Sequence, residues 1–144
     1  MKKYSHKFLM TLLTMFIFQS AIHNAYAWTD EESKAIDVAH EFLTLVDHGQ
    51  VDQAFESMTE ISKKEYVKEL WIKQFATKSE YYGGLVNRAI SKVLRLDSLQ
   101  YHPDGNYLKI HYRSEFEYKK NVFETVDLKL EDDNTWRVSG YFCN

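Results

Sequence analysis

Two charged residues, Arg88 and Glu124, occupy positions in predicted strands where apolar side chains otherwise recur. Because successive side chains of a strand point to opposite faces, this spacing turns both charges toward the buried face of a sheet. A buried charge needs a partner, so we expect the two residues to pair with each other. A guanidinium beside a carboxylate offers a polar clamp for a ligand's anionic or polar group. A structural ion pair, or two strand-end side chains that reach solvent, is the alternative interpretation.

Aromatic residues are the candidates for the walls of a ligand site beside this pair. Ligand pockets are mainly apolar with aromatic walls, which suits Trp71 and Trp136. Core packing is the alternative for both tryptophans. Acid–base catalysis would need a roomy pocket and a carboxylate with a raised pKa, with Glu124 as the base and Tyr112 or Tyr141 as the hydrogen-bond donor.

No metal or cofactor motif appears in the sequence. The four histidines after residue 27 do not show a spacing such as His-x-x-x-His, and we expect them at the surface. The sequence also contains no Gly-x-Ser-x-Gly motif, no Cys/His pair and no phosphate-binding loop. We therefore expect neither a metal nor a cofactor.

A second group of residues is a candidate for an interface. The polar side of the strand that starts at Tyr107 is rich in charge, and tyrosine and arginine are favoured at interfaces. Tyr107, His111, Arg113 and Tyr141 are therefore predicted to lie on one outer face and are candidates for a homodimer surface. A solvated face with charge pairs between strands is the alternative.

The C-terminal half predicts the sheet that must position these residues. Apolar and polar residues alternate in four runs, separated by polar breaks and by the turn Pro103-Asp104-Gly105. Short breaks between alternating runs favour antiparallel neighbours. We expect four strands, over residues 85–101, 107–118, 122–130 and 136–142.

The N-terminal half predicts three helices. Thr29-x-x-Glu32 is a capping box ahead of an apolar stripe that ends before Gly49. Asp52 is the expected cap of a short second helix, and Ser62-x-x-Glu65 is the expected capping box of a third. The predicted fold is α+β: three N-terminal helices packed on a curved four-stranded antiparallel sheet, with a cone-like shape.

Residues 1–27 have the composition of a secretory signal peptide. Three lysines precede an uncharged apolar run over residues 8–18, and the segment ends in the small-x-small site Ala25-Tyr26-Ala27. The run is too short to span a bilayer, which needs about 20 residues. We expect an exported protein, periplasmic or secreted, with a single domain over residues 28–144. An uncleaved anchor or a buried helix is the alternative.

The charge of the expected mature domain excludes some partners. Of 18 basic residues three are lysines of the leader, which leaves 15 against 21 acidic residues, a net charge of −6. An acidic domain without a basic cluster is not expected to bind nucleic acid or an anionic membrane surface. Nor do we expect a membrane span after cleavage of the leader. Cys143, the only cysteine, is expected to be inert, with an intermolecular disulfide as the alternative.

Several segments together resemble a known family. They include residues 35–49 of the first helix, the Pro-Asp-Gly-x-Tyr turn at residues 103–107, and the ending Trp136-Arg137-Val138-Ser139-Gly140-Tyr141-Phe142. They resemble a bacterial family catalogued as domain of unknown function 4019, over essentially the whole chain after residue 27. That resemblance implies a small exported protein without an established activity. The order of the elements is also similar to the nuclear-transport-factor-2-like cone folds, an analogy that implies no function.

The functional prediction follows from the leader, the missing catalytic motifs and the aromatic interior. We expect a non-enzymatic ligand-binding or protein-interaction module of the cell envelope, with a small molecule or an envelope protein as its partner. An acid–base enzyme acting in a cavity of the sheet is one alternative. A purely structural dimer module is another.

Overall fold

The structure, a computed structural model, describes residues 28–144 apart from the side chain of Ser79. The predicted signal peptide, residues 1–27, lies outside this part of the chain. Within it, five helical segments precede four strands: α1 (Asp30–Asp47), α2 (Val51–Glu56), α3 (Glu60–Glu65), α4 (Lys68–Ala76) and α5 (Lys78–Tyr82), then β1 (Leu85–Leu96), β2 (Tyr107–Phe116), β3 (Val122–Leu130) and β4 (Trp136–Cys143). The predicted α+β class is therefore confirmed.

The four strands form one antiparallel sheet in the order β1-β2-β3-β4, as predicted. The first strand ends at Leu96 rather than at Tyr101, because residues 97–106 form a loop over the sheet. The helices cover one face of the sheet, here called the helix side, and the opposite face is called the outer face. The cone-like shape that we expected is not confirmed.

Helix α1 forms where its capping box and apolar stripe predict it. Thr29 Oγ1 accepts a hydrogen bond from the Glu32 N–H (3.2 Å), and the Glu32 carboxylate accepts one from the Thr29 N–H (2.9 Å). Gly49, just past the helix, has a φ of +73°, a conformation that glycine adopts at little cost. The stripe is buried as expected: Ala35, Ile36, Ala39, Phe42, Leu43 and Val46. Burial of each large side chain contributes about 1.5–3 kcal/mol, which holds α1 against β2, β3 and β4.

We expected one continuous third helix, and this prediction is wrong. The backbone is extended between α3 and α4, so the segment forms two short helices. Tyr66 has φ −87° and ψ 137°, outside the helical region. The cap of α3 is Thr59 rather than Ser62, and the Ser62 hydroxyl instead donates to the backbone oxygen of Ser139 (2.8 Å). The Thr59 N–H donates to the Val138 oxygen (2.8 Å), so this segment covers part of the β4 edge.

A β-bulge in β4 reverses the expected facing of two aromatic residues. Asp127 pairs with Gly140 but Leu128 pairs with Val138, so Ser139 is an extra residue in β4. Each residue after a bulge moves to the opposite face. Tyr141 is therefore buried on the helix side, and Phe142 is 53% exposed on the outer face. We predicted Tyr141 on the outer face, and simple alternation along β4 would place Phe142 on the helix side.

A second irregularity, in β1, affects Lys92, which simple alternation would place on the same face as Arg88. Ile90 pairs with Tyr112 and Lys92 with His111, which leaves Ser91 as the extra residue. The bulge moves Lys92 to the outer face, where it is exposed. Arg88 precedes the bulge and stays on the helix side, as its spacing predicts.

None of the helices in residues 28–144 has both the length and the apolar character that crossing a bilayer requires.

Candidate functional site

Four charged side chains meet on the helix side of the sheet, and we call them, with their hydrogen-bond partners, the ion cluster. Asp47 ends α1, Lys78 begins α5, and Arg88 and Glu124 lie on β1 and β3. Arg88 Nε donates to Glu124 Oε2 (2.7 Å), and its Nη2 donates to Oε1 (3.1 Å). The predicted pairing of Arg88 with Glu124 is therefore confirmed.

The carboxylate of Glu124 is the centre of the ion cluster. Besides the two bonds from Arg88, it accepts hydrogen bonds from Lys78 Nζ (2.9 Å), the Tyr141 hydroxyl (2.5 Å) and the Ser114 hydroxyl (2.5 Å). These five bonds occupy both oxygens of a side chain that is only 1% exposed. A further ligand group would have to displace one of the existing donors.

Asp47 completes the cluster from the end of α1. Its Oδ2 accepts from Arg88 Nη1 (2.6 Å), and its Oδ1 accepts from Arg88 Nη2 (3.1 Å) and Lys78 Nζ (3.0 Å). The third donor of the Lys78 ammonium reaches the Tyr141 hydroxyl (2.9 Å). Two cations thus face two anions, and the cluster carries no net charge.

The electrostatics hold Glu124 in its ionised form. Burial alone would raise the pKa of its carboxyl, but the hydrogen bond from Arg88 and the charges of Lys78 and Arg88 outweigh burial and lower the pKa to about 2. Burial, together with the neighbouring Glu124 charge, raises the pKa of the Tyr141 hydroxyl far above its usual range. A carboxylate with so low a pKa is a weak base at neutral pH.

The two tryptophans that we proposed as pocket walls pack in the core. Trp71 contacts Phe42, Phe55 and Phe75, with ring centroids 4.7–6.2 Å apart. Trp136 is buried opposite Leu130 at the start of β4. Both positions agree with the alternative of core packing, and a role in ligand binding stays a prediction.

The four interface candidates do not share one face. Tyr107 is fully buried beneath the β1–β2 loop, where its hydroxyl donates to the Pro103 oxygen (2.6 Å), and Tyr141 belongs to the ion cluster. Tyr107 shares the outer face with His111 and Arg113, as predicted, but the loop covers it, which leaves His111 and Arg113 as candidates. Arg113 is exposed and stacks over the Phe123 ring at 5.1 Å. A dimer surface at these two residues stays a prediction.

Sequence reasoning missed Asp47 and Lys78. Asp47 carried a signal, since it lies four residues after Leu43 and so continues the apolar stripe of α1 with a charge. Lys78 carried none that we recognise, because α5 spans five residues, too few for a periodic pattern.

The comparison with known protein families gives one match. The family described as Protein of unknown function (DUF4019) matches residues 38–141. The matched range contains every member of the ion cluster. Neither a curated protein nor a solved structure matches the chain.

Proposed function

Since the chain belongs to the family Protein of unknown function (DUF4019), whose description names no activity, we propose from its own residues that it is an exported, non-enzymatic binding module of the cell envelope. The proposal has three parts: the protein leaves the cytoplasm, it does no acid–base chemistry at the ion cluster, and it meets its ligand or partner on the outer side of the sheet.

The saturated carboxylate of Glu124 carries this proposal. A catalytic base needs a pKa near the working pH and an open path to the substrate proton. Glu124 has a pKa of about 2 and five hydrogen-bond donors in a buried setting. The acid–base alternative therefore loses the residue on which it was built, and the ion cluster is better explained as a structural clamp between helices and sheet.

The placement of the elements supports binding on the outer side. Helices α1 to α5 cover the helix side, and the aromatic core fills the space beneath them. The outer face keeps exposed side chains of several kinds, including Lys92, Arg113, Phe123 and Phe142. A ligand or partner can contact these residues without opening the core.

The leader supports export, and the test begins with it. Cells expressing the full chain are fractionated, and the mass of the recovered protein is measured. We expect a product that begins at Trp28 outside the cytoplasm, and a variant Ala27→Arg that keeps the leader because a small residue is required before the cleavage site. A wild-type product that keeps residues 1–27 inside the cytoplasm would overturn export.

The exported product then serves for the binding test. Amide NMR spectra are recorded while small-molecule classes are added one at a time. We expect any ligand that raises the melting temperature to shift amides of β2 to β4 on the outer side and to leave Arg88 unaffected. Ligands whose shifts centre on the ion cluster would refute the outer-side proposal.

A further inference from the structure

A cavity of about 430 Å³ lies where the β1–β2 loop folds over the outer face. Lys109 and Asp127 lie on the sheet side, Leu99 to His102 form the loop wall, and Tyr66 closes the end next to α3. Sites for small ligands usually measure about 300–1,000 Å³, so the cavity has room for a ligand of one or two rings. It shares no residue with the ion cluster.

Buried polar atoms without protein partners gather in the walls of this cavity. Among the described residues, four buried side-chain atoms make no hydrogen bond to the protein: Ser139 Oγ, His102 Nδ1 and Asp127 Oδ1, whose residues line the cavity, and the Tyr112 hydroxyl, which lies elsewhere. Ser139 is only 1% exposed. A buried polar group without a partner is costly, and three of these four atoms belong to residues of the cavity. Ser139 and His102 therefore keep unused hydrogen-bonding capacity at the cavity, which a ligand can satisfy once their side chains turn toward it.

The charges of the cavity favour an uncharged ligand. Lys109 Nζ lies 3.0 Å from Asp127 Oδ1 and 3.1 Å from Oδ2, so the buried acid and the lysine neutralise each other. The carboxylate of Glu65 lies at the rim, 3.8 Å from His102 Nε2, and is partly exposed to solvent. Apart from Asp127 Oδ1, which lies in this ion pair, the unpartnered atoms of the cavity belong to a hydroxyl and an imidazole, which each donate or accept according to the group they meet. The hydroxyls of a ligand also donate and accept hydrogen bonds, so they can bond to Ser139 and His102 without bringing a charge into the cavity.

Tyr101 gives the cavity an aromatic wall at a conformational cost. It is the third residue of a turn closed by the bond from the His102 N–H to the Leu99 oxygen (3.0 Å), and its φ is +67°. Glycine or asparagine normally occupies such a position, and a bulky residue there is strained. The ring is 84% exposed, so core packing does not explain its presence. Strain of this kind often accompanies a binding role.

We propose that this cavity binds a neutral hydroxylated ring compound, with the chemistry of one or two saccharide units, and that the Tyr101 ring stacks on its C–H face. The hydroxyls at the edge of such a ring meet Ser139, His102 and the Asp127–Lys109 pair. The proposal rests on the proposed function, because it names the ligand class of the outer-side surface.

The test uses the exported protein and three classes of probe: methyl glucoside, N-acetylglucosamine and maltose as neutral saccharides, tetramethylammonium as a cation, and inorganic phosphate as an anion. Binding is followed by amide NMR shifts and by thermal denaturation. We expect at least one saccharide to shift Tyr101, Lys109 and Gly140. Tyr101→Ala should weaken that saccharide at least tenfold, whereas the matched control Tyr118→Ala, which also removes an exposed tyrosine, should not.

A second variant separates binding from folding. Tyr101→Gly removes the ring but relieves the positive φ, so it should leave the melting temperature unchanged or raise it while it weakens the saccharide. If tetramethylammonium or phosphate shifts the cavity amides and the saccharides do not, the ligand class is wrong but the outer-side binding function survives. If saccharides bind equally well to the wild type and Tyr101→Ala, the role of Tyr101 is refuted. If no probe shifts any outer-face amide, the saccharide proposal is overturned.

Discussion

Replacing Glu124 with glutamine tests the ion cluster most directly, because it removes the central charge and keeps the shape of the side chain. The variant leaves Arg88 and Lys78 buried with Asp47 as their only anion. Removing one partner of a buried ion pair costs about 3–5 kcal/mol, since the remaining charge is no longer compensated. We expect the free energy of unfolding at pH 7 to fall by that amount.

The lowered pKa of Glu124 indicates a related quantity, the preference of the folded protein for the ionised carboxylate. Its fall from the ordinary value of 4.5 to about 2 corresponds to about 3 kcal/mol at 1.36 kcal/mol per unit. For a domain of this size such a loss lowers the melting temperature by roughly 10–20 °C.

The pH dependence follows from the direction of the shift. A carboxyl whose pKa is lowered by folding stabilises the protein fully above its unfolded pKa of 4.5 and loses that contribution as the pH falls through its folded pKa of about 2. The difference in stability between the wild type and Glu124→Gln should therefore be constant from pH 7 to about 5 and shrink between about 4.5 and 2.

The assay is urea denaturation at several pH values, followed by tryptophan fluorescence. Glu41→Gln serves as the control, because Glu41 is exposed on α1 and its neutralisation should change stability little. A Glu124→Gln variant within about 1 kcal/mol of the wild type at pH 7, or a difference that stays constant down to pH 2, would refute the reasoning.

Three further expectations concern single side chains. Tyr141→Phe should destabilise the fold by about 1–3 kcal/mol in urea denaturation, because Glu124 loses a hydrogen-bond donor. The control Tyr118→Phe, at an exposed site, should leave stability unchanged, and equal effects of the two variants would contradict the contact. Gly49→Ala should lower stability by about 1 kcal/mol in thermal denaturation, because a side chain is disfavoured at φ +73°; a neutral result would mean that the turn rearranges. Burial raises the pKa of the Cys143 thiol, so at pH 8 it should react with a disulfide reagent more slowly in the folded protein than in urea, and equal rates would show that it is accessible.

Sequence periodicity predicted the structure wherever the backbone is regular. The stripe of α1 and the four strands follow directly from spacings of three to four and of two residues. The pairing of Arg88 with Glu124 followed in the same way, because the alternation is regular around Glu124 and, between the two register shifts of β1, around Arg88. A charge at an apolar position was thus sufficient to predict two of the four charged residues of the ion cluster, Arg88 and Glu124.

The errors arise where the backbone departs from regular spacing. A bulge adds one residue to a strand without changing its composition, so Ser91 and Ser139 left no visible trace in the pattern. The extra residue in β4 exchanged the faces of Tyr141 and Phe142, and with them an expected interface residue became part of the core. The cavity under residues 97–106 was missed for a related reason. These residues form a loop, and a loop has no regular spacing of apolar residues from which its position could be predicted.

The bulge at Ser139 links the two parts of the molecule that we assign to structure and to binding. Without the extra residue, Tyr141 would face outward and Glu124 would lose a donor. With it, Phe142 turns outward and Ser139 and Gly140 line the outer cavity. The Ser62 hydroxyl bonds to the Ser139 carbonyl (2.8 Å) and so satisfies a backbone group at the irregularity. Because replacing a buried ion network by a well-packed apolar core is often neutral for stability, we infer that the ion cluster contributes to specificity. The bond from Tyr141 to Glu124 requires the bulged register of β4, and the same register places Ser139 and Gly140 at the cavity.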